Sequence, residues 1–250
     1  IDVIVTPVND APILTDIDDQ TTPEENVLIV PIYASDIDGD VLDVTAVSDS
    51  PGDVSIEVEI IETVTDIDGN VYEIIEIGEQ VWMKENLKVE HFRNGDEIPT
   101  GYSNSEWKNL SIGAYAVYND DLSNVEIYGN LYNWYAVEDE RGVCPEGWNV
   151  PTDGEIIELE MYLGMSQSEA YTYDWRGTNE ASKLAGREDL WNDGALENDP
   201  EFGTSGFNHL PGGNRQSVSG NYVGMGNRGS LWTSGGPYAW YRSLRSDRSQ

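Results

Sequence analysis

The sequence predicts two parts: an N-terminal all-β module and a larger α+β domain. Three observations support this division. The first six residues alternate apolar and polar side chains and are followed by a proline-bracketed linker, as strands before a module boundary often are. Residues 64–83 contain strand patterns around an Asp-Gly turn, and a helix pattern follows Pro151. No lysine or arginine precedes Lys84, so the two ends of the chain also differ in charge.

The strongest helix prediction begins after the segment CPEGWNVPT at 144–152. Pro151 ends an extended stretch, and Thr152 with Glu155 has the spacing of a capping box. Ile156, Leu159 and Leu163 follow at helical spacing, and Gly164 is a stop signal. In the same segment we expect Cys144, Trp148 and Pro151 to have structural roles.

The composition restricts the possible partners. The formal net charge is −34 and the isoelectric point is near 4.1, so phosphate-rich nucleic acid and anionic membrane surfaces are repelled. Divalent cations are the natural counter-ligands of such a chain. The sequence has no apolar run long enough to cross a bilayer, and we expect no membrane insertion within it.

The N-terminal segment resembles the bacterial cadherin-like repeats of large surface proteins, through Val-Asn-Asp-Ala-Pro at 8–12 and Ala-Ser-Asp-Ile-Asp-Gly-Asp at 34–40. In that family calcium lies at the junctions between repeats. The resemblance implies a calcium site formed by Asn9, Asp10, Glu24, Glu25, Asp36, Asp38 and Asp40. Calcium takes six to eight oxygen ligands, which alternating aspartates around a glycine turn can supply. The alternative is an Asp-Gly hairpin turn on a solvated acidic face.

We expect residues 1–11 to be the end of a preceding repeat and its linker, and residues 12–62 to be a partial cadherin-like module. The last strands of a complete repeat are missing, because the pattern passes directly into the next domain. That domain is expected to occupy residues 63–250. Asp66 and Asp68 could form a second calcium loop, but good strand patterns on both sides favour a hairpin.

A series of motifs follows in residues 64–250: DGNVY (68–72), WMKENL (82–87), YGNLYNWYAV (128–137), CPEGWNVP (144–151), GFNHLPGGNR (206–215), LWTS (231–234) and AWYR (239–242). In this order and spacing they resemble the Fibrobacter succinogenes major paralogous domain. The resemblance implies a C-type-lectin-like fold related to formylglycine-generating enzymes, with a small antiparallel sheet, two helices and long ordered loops. It also implies a secreted or surface-attached bacterial protein.

Cys144 is the single cysteine of the chain. Family members end in a strand carrying Val-Arg-Cys, which this sequence does not reach, so the resemblance implies that Cys144 pairs with that cysteine in a longer protein. A nucleophilic role has little support, since neither histidine is near it in sequence. We predict no catalytic residue. His209 is expected to be an exposed or packed loop residue.

Two further motifs have competing interpretations. Trp191-Asn192-Asp193 matches part of the calcium and sugar motif of true C-type lectins, but its companion triplet is absent and the family pattern explains it without an ion. The glycine-rich run at 211–215 lacks the lysine and helix of a phosphate loop. Tight turns that bring backbone close to the core are the favoured interpretation.

The C-terminal segment from Gly220 is rich in Tyr, Trp, Ser, Asn, Gly and Arg, a composition typical of adaptable binding surfaces. The predicted ligand-binding residues are Tyr222, Trp232, Tyr238, Trp240, Tyr241 and Arg242. Trp232 and Trp240 could equally be core residues.

The sequence therefore favours a non-catalytic binding or adhesion module of a large secreted or cell-surface bacterial protein, carried on a calcium-stiffened spacer. The expected ligand is a glycan or a protein, and neighbouring cadherin-like repeats are expected in the same chain. The alternatives are an enzyme related to formylglycine-generating enzymes and a purely structural surface-layer component.

Overall fold

The structure is a computed structural model that describes residues 13–14, 34–35, 62–172, 175–236 and 239–250. The chain divides into two compact units, residues 1–60 and 61–250. In the first unit, β1 (Ile13–Leu14) pairs antiparallel with β2 (Ala34–Ser35). All seven predicted calcium ligands of the N-terminal module lie outside the described residues: Asn9, Asp10, Glu24, Glu25, Asp36, Asp38 and Asp40.

The second unit begins with a three-stranded antiparallel sheet of β3 (Thr63–Thr65), β4 (Val71–Ile77) and β5 (Gln80–Met83). The predicted Asp-Gly hairpin is confirmed between β3 and β4. Its turn is fixed by Asp66, whose Oδ1 accepts hydrogen bonds from the backbone N–H groups of Asp68 and Asn70, both at 2.9 Å. The Oδ2 of Asp66 accepts from Tyr72, whose hydroxyl lies 2.6 Å away.

Three more antiparallel ladders complete the described strands. β6 (Tyr115–Ala116) pairs with β7 (Leu131–Tyr132), and β8 (Gly212–Arg215) pairs with β9 (Tyr222–Met225). The last hairpin joins β10 (Arg228–Thr233) to β11 (Trp240–Arg245). Together with the helices, these small sheets give an α+β fold, as predicted.

The helices are short, with one exception. They are α1 (Asn104–Trp107), α2 (Val125–Tyr128), α3 (Trp134–Val137), α4 (Asp153–Tyr162), α5 (Gln167–Ala170) and α6 (Glu180–Leu184). We expected two helices; in the described part of the chain, α4 with 10 residues is the long one and the others have four or five. None of the described helices is long and apolar enough to cross a membrane.

The predicted start and end of α4 are confirmed. The Thr152 side chain accepts from the backbone N–H of Glu155, and the Glu155 carboxylate accepts from the backbone N–H of Thr152 at 2.7 Å. Gly164 ends the segment at φ 120°, a backbone conformation that glycine adopts without strain. Ile156 and Leu159 are buried on the inner face, and Leu163 packs at its edge.

The core of the second unit consists of several apolar clusters. One contains the fully buried Phe92 together with Val143 and Cys144. Another joins Leu159 of α4 to Phe207, with Trp82 of β5 and Leu231 of β10 packed against them. Through this second cluster, α4 supports the segments that line the candidate site.

Candidate binding cleft

Strands β5 and β10 both line one cleft of about 960 Å³ within the second unit. Trp82 contributes from β5, and Ser230 and Trp232 contribute from β10. Phe207 and His209 also line it, and the Trp82 and Phe207 rings meet edge to face at a centroid distance of 5.4 Å. A cavity of this size, with aromatic walls and converging polar groups, is typical of a ligand-binding site.

A row of aromatic side chains lies along one part of the cleft. The rings of Trp134 and Trp232 are 5.5 Å apart, and those of Trp232 and Tyr241 are 5.9 Å apart. Trp232 is fixed by its indole N–H, which donates to the backbone carbonyl of Tyr132 at 2.9 Å. Tyr241, opposite Trp232 on β11, is 49% exposed and so remains available to a ligand. We define the aromatic row as Trp134, Trp232 and Tyr241.

Buried polar atoms without partners are concentrated at this cleft. Ten buried side-chain nitrogen and oxygen atoms of the described residues have no hydrogen-bond partner, and seven belong to residues that line the cleft. They are Gln80 Oε1, Trp82 Nε1, Asn130 Oδ1, His209 Nε2, Asn214 Oδ1, Arg215 Nη1 and Ser230 Oγ. Because an unsatisfied buried polar group costs about 1–3 kcal/mol, these donors and acceptors favour a polar occupant.

The structure separates the predicted ligand-binding residues into different places. Trp232 and Tyr241 lie together in the aromatic row. Trp240 and Arg242 occupy the alternate positions of β11, whose side chains point to the opposite face of the hairpin. Arg242 bonds to Asp153 there, at the start of α4. Tyr238 lies outside the described residues.

Tyr222 does not line this cleft and has structural contacts instead. Its ring lies 5.4 Å from that of Tyr118 and 4.7 Å from the guanidinium of Arg215. Its hydroxyl donates to Asp120 Oδ1 at 2.5 Å. Burial and this carboxylate raise the pKa of Tyr222. A role of Tyr222 in ligand binding stays a prediction. The geometry of the cleft does not support it, because Tyr222 does not line the cleft.

Trp82, Trp134, Ser230 and His209 line the cleft but were not among the predicted ligand-binding residues. Trp134 had a sequence signal, since it belongs to the motif YGNLYNWYAV (128–137) that carries the family resemblance. The others have no local signal, because residues from distant parts of the chain meet only after folding.

Cys144 also lines the cleft, but its thiol is buried beside Val143 in an apolar cluster. Burial raises the pKa of this thiol to about 11, although the nearby Arg93 acts in the opposite direction. At neutral pH the thiol is therefore protonated and a poor nucleophile. The described residues contain no disulfide partner for Cys144, so its pairing stays a prediction.

The Trp191-Asn192-Asp193 motif is held by internal contacts. The indole N–H of Trp191 donates to the carbonyl of Gly186 at 3.0 Å, and the backbone N–H of Asn192 donates to Gly226. Asp193 accepts a hydrogen bond from Asn198 at 3.0 Å. These contacts explain the motif as a structural turn.

The glycine-rich run is also explained by packing. Gly213 has φ 68°, and a side-chain carbon there would lie 2.7 Å from the ring of Tyr118 and from the backbone of Val223 and Met225. Glycine therefore allows β8 and β9 to pass close to the core.

The acidic residues of the first hairpin make contacts within the protein. Asp68 accepts from the backbone N–H of Glu90 at 2.6 Å and lies 2.6 Å from the ring Nδ1 of His91. Across the described residues, no group of three or more His, Cys, Asp or Glu side chains is placed to hold a metal ion.

A protein-family model matches most of the second unit. The family model of the Fibrobacter succinogenes major domain matches residues 75–244. No curated protein and no solved structure matches the chain. The matched region contains both walls of the cleft and the whole aromatic row. The chain therefore belongs to the Fibrobacter succinogenes major domain family.

Proposed function

We propose that this chain is a non-catalytic binding and adhesion module of a large secreted or cell-surface bacterial protein. The observation that carries the proposal is the aromatic row beside the cleft, where Tyr241 presents an exposed ring next to Trp232, which is held by a hydrogen bond and packs against Trp134. Rigid aromatic rings supply contact area at low entropic cost, and they stack on the apolar faces of sugars or on apolar side chains. The ligand is a glycan or a protein.

The remaining parts of the proposal come from the family resemblance and the N-terminal sequence. The matched domain has a C-type-lectin-like fold, and residues 12–62 form a partial cadherin-like spacer stiffened by calcium. Support for the spacer comes from its alternating aspartates and from the net charge of −34, which calcium would reduce. If the spacer binds calcium, we expect the melting temperature of the chain to rise when calcium is added. A melting temperature that does not change with calcium would contradict the calcium-stiffened spacer.

An enzyme of the formylglycine-generating type is the alternative from another class. It would depend on activated cysteine chemistry, whereas burial keeps the Cys144 thiol protonated at neutral pH. His209, the histidine that lines the cleft, is also buried, and its pKa is lowered to about 4 by that burial. The observations therefore support binding over catalysis.

The test is an array of glycans and deglycosylated protein spots, incubated with the whole 250-residue chain in calcium and in chelator. We expect binding to a subset of spots, and a roughly fivefold to tenfold weaker affinity for Tyr241→Ala, which loses one stacking ring. Tyr171→Ala is the matched control, because Tyr171 is 64% exposed and lies outside the cleft.

Absence of binding to every spot would contradict the proposed function. Equal losses in Tyr241→Ala and Tyr171→Ala would place the ligand away from the aromatic row. Binding of the chain to the deglycosylated protein spots alone would identify a protein ligand.

A further inference from the structure

One face of the β10–β11 hairpin carries three different pairs of side chains in succession. In an antiparallel ladder, alternate residues of a strand and their cross-strand partners share one face. The three pairs are Trp232 with Tyr241, Ser230 with Ser243, and Arg228 with Arg245. The members on β10 all line the cleft, as this alternation requires. The aromatic row is therefore continued along the hairpin by a pair of hydroxyl groups and then by a pair of cations.

The two serines of this face have hydroxyl groups that are free to bond. The Oγ atoms of Ser230 and Ser243 are buried, and neither has a hydrogen-bond partner among the described residues. A hydroxyl group both donates and accepts, and rotation about one side-chain bond reorients it. Hydroxyl groups on a ligand would match these two, because they also donate and accept.

Arg228 is a cation without a protein partner. It is half-buried at the first position of β10, and it makes no ion pair or side-chain hydrogen bond within the part of the chain that the structure describes. Arg245, directly opposite, carries the same charge, and like charges at facing positions of two strands destabilise the pair. A guanidinium binds oxyanions such as carboxylates through two parallel N–H donors. An anionic group at Arg228 would therefore offset an uncompensated charge.

The C-terminal segment has the opposite charge balance to the whole chain. Residues 204–250 contain five arginines and a single acidic residue, Asp247. Four of these arginines bond to groups within the protein: Arg215 to the carbonyls of Tyr102 and Gly220, Arg242 to Asp153 and Glu160, and Arg245 and Arg248 to Asp247. Arg228 is the remaining one.

The acidic residues that line the cleft come from other elements. They are Glu79 in the β4–β5 turn, Glu85 after β5, and Glu155 in the capping box of α4. At physiological ionic strength, screening limits the reach of exposed charges to about 8 Å. An anionic group at Arg228 therefore responds mainly to the charges beside it rather than to the net charge of the chain.

We propose that the ligand of this hairpin face is an anionic glycan, an oligosaccharide whose carboxylate or sulfate group pairs with Arg228. One sugar ring stacks on Tyr241 beside Trp232, and sugar hydroxyls bond to the serine pair. Positions 228 and 232 are about 14 Å apart along the strand, so the ligand extends over more than a single sugar ring. This inference rests on the proposed function and names the class of its ligand. Stacking next to paired hydroxyls favours a glycan over an acidic protein segment.

The test is the glycan and protein array with each charged glycan printed beside its uncharged counterpart. The counterparts are made by reducing carboxyl groups or by removing sulfate, so each pair keeps one sugar backbone, and the two kinds of pair distinguish a carboxylate from a sulfate. Chelator is present throughout, because calcium could otherwise bridge acidic groups of the protein and the glycan. We expect the whole chain to bind a charged member about tenfold more tightly than its counterpart, as measured by calorimetric titration.

Variants at Arg228 identify the cation that is responsible. Arg228→Gln should bind the two members of the preferred pair within twofold of each other, since the pairing charge is gone. Arg228→Lys keeps the charge without the planar fork, and an intermediate preference is expected. Arg187→Gln is the matched control, because it removes the same charge from a side chain that is 53% exposed and outside the cleft. It should keep the parental preference. Melting temperatures show whether each variant is folded, and Arg228→Lys keeps the test valid if Arg228→Gln is not.

Equal affinity of the parent chain for both members of every bound pair would overturn the anionic ligand and leave the proposed function intact. A charge preference that Arg228→Gln retains would also overturn it. Binding to protein spots alone would exclude a glycan while the binding function stands. Absence of binding to every spot would contradict the proposed function itself, and this inference with it.

Discussion

Replacing Glu160 by glutamine is expected to lower the free energy of unfolding by about 3 kcal/mol. The Glu160 carboxylate is buried between two guanidinium groups: Arg176 Nη2 is 2.6 Å from Oε2, and Arg242 Nε is 3.3 Å from Oε1. Its loss removes a counter-charge from both guanidinium groups in a site with little water, since their side chains are only 11% and 17% exposed, although Arg242 keeps its bond to Asp153. The same carboxylate connects α4 to β11.

Urea denaturation of the whole chain measures this effect, and Glu158→Gln is the matched control. Glu158 lies on the exposed face of the same helix, so its substitution should change stability by less than about 0.5 kcal/mol. If the two substitutions had equal effects, the buried ion-pair cluster would not contribute to stability as described.

Acidification is expected to destabilise the domain through His209. Burial lowers its pKa from 6.5 to about 4, while the Gly229 backbone acts in the opposite direction. As the pH falls, the His209 imidazole therefore becomes protonated at a higher pH in the unfolded chain than in the folded chain. The stabilisation is complete above pH 6.5 and is lost as the pH falls towards 4, by about 3 kcal/mol in total.

The measurement compares unfolding free energies of the parent chain and His209→Gln between pH 7 and pH 4. Because carboxylates also titrate in this range, the quantity of interest is the difference between the two pH profiles. The parent should lose more stability on acidification than His209→Gln does. Parallel profiles of parent and His209→Gln would contradict a buried neutral imidazole.

The features that sequence analysis predicted correctly depend on neighbouring residues. The capping box of Thr152 and Glu155, the stop at Gly164 and the Asp-Gly hairpin each use residues only a few positions apart. Such local preferences act before tertiary structure forms. The family assignment likewise came from ordered motifs and is confirmed over residues 75–244.

The cleft could not be predicted because its walls are distant in sequence. Trp82 on β5 meets Phe207 from far along the chain, and no local pattern contains that contact. The division of Tyr241 and Arg242 between opposite faces follows from the alternation of a strand, but only once β10 and β11 are known to form a hairpin. Tyr222 lies apart from this cleft, where its ring packs beside Tyr118 and Arg215.

The central claim is that the aromatic row beside the cleft contacts the ligand, and the array with the Tyr241→Ala chain tests it most directly. The account predicts that the parent chain binds, that Tyr241→Ala binds roughly fivefold to tenfold more weakly, and that Tyr171→Ala keeps the parental affinity. Equal affinities of the parent chain and Tyr241→Ala would contradict the account, because the exposed ring of the row would then not touch the ligand.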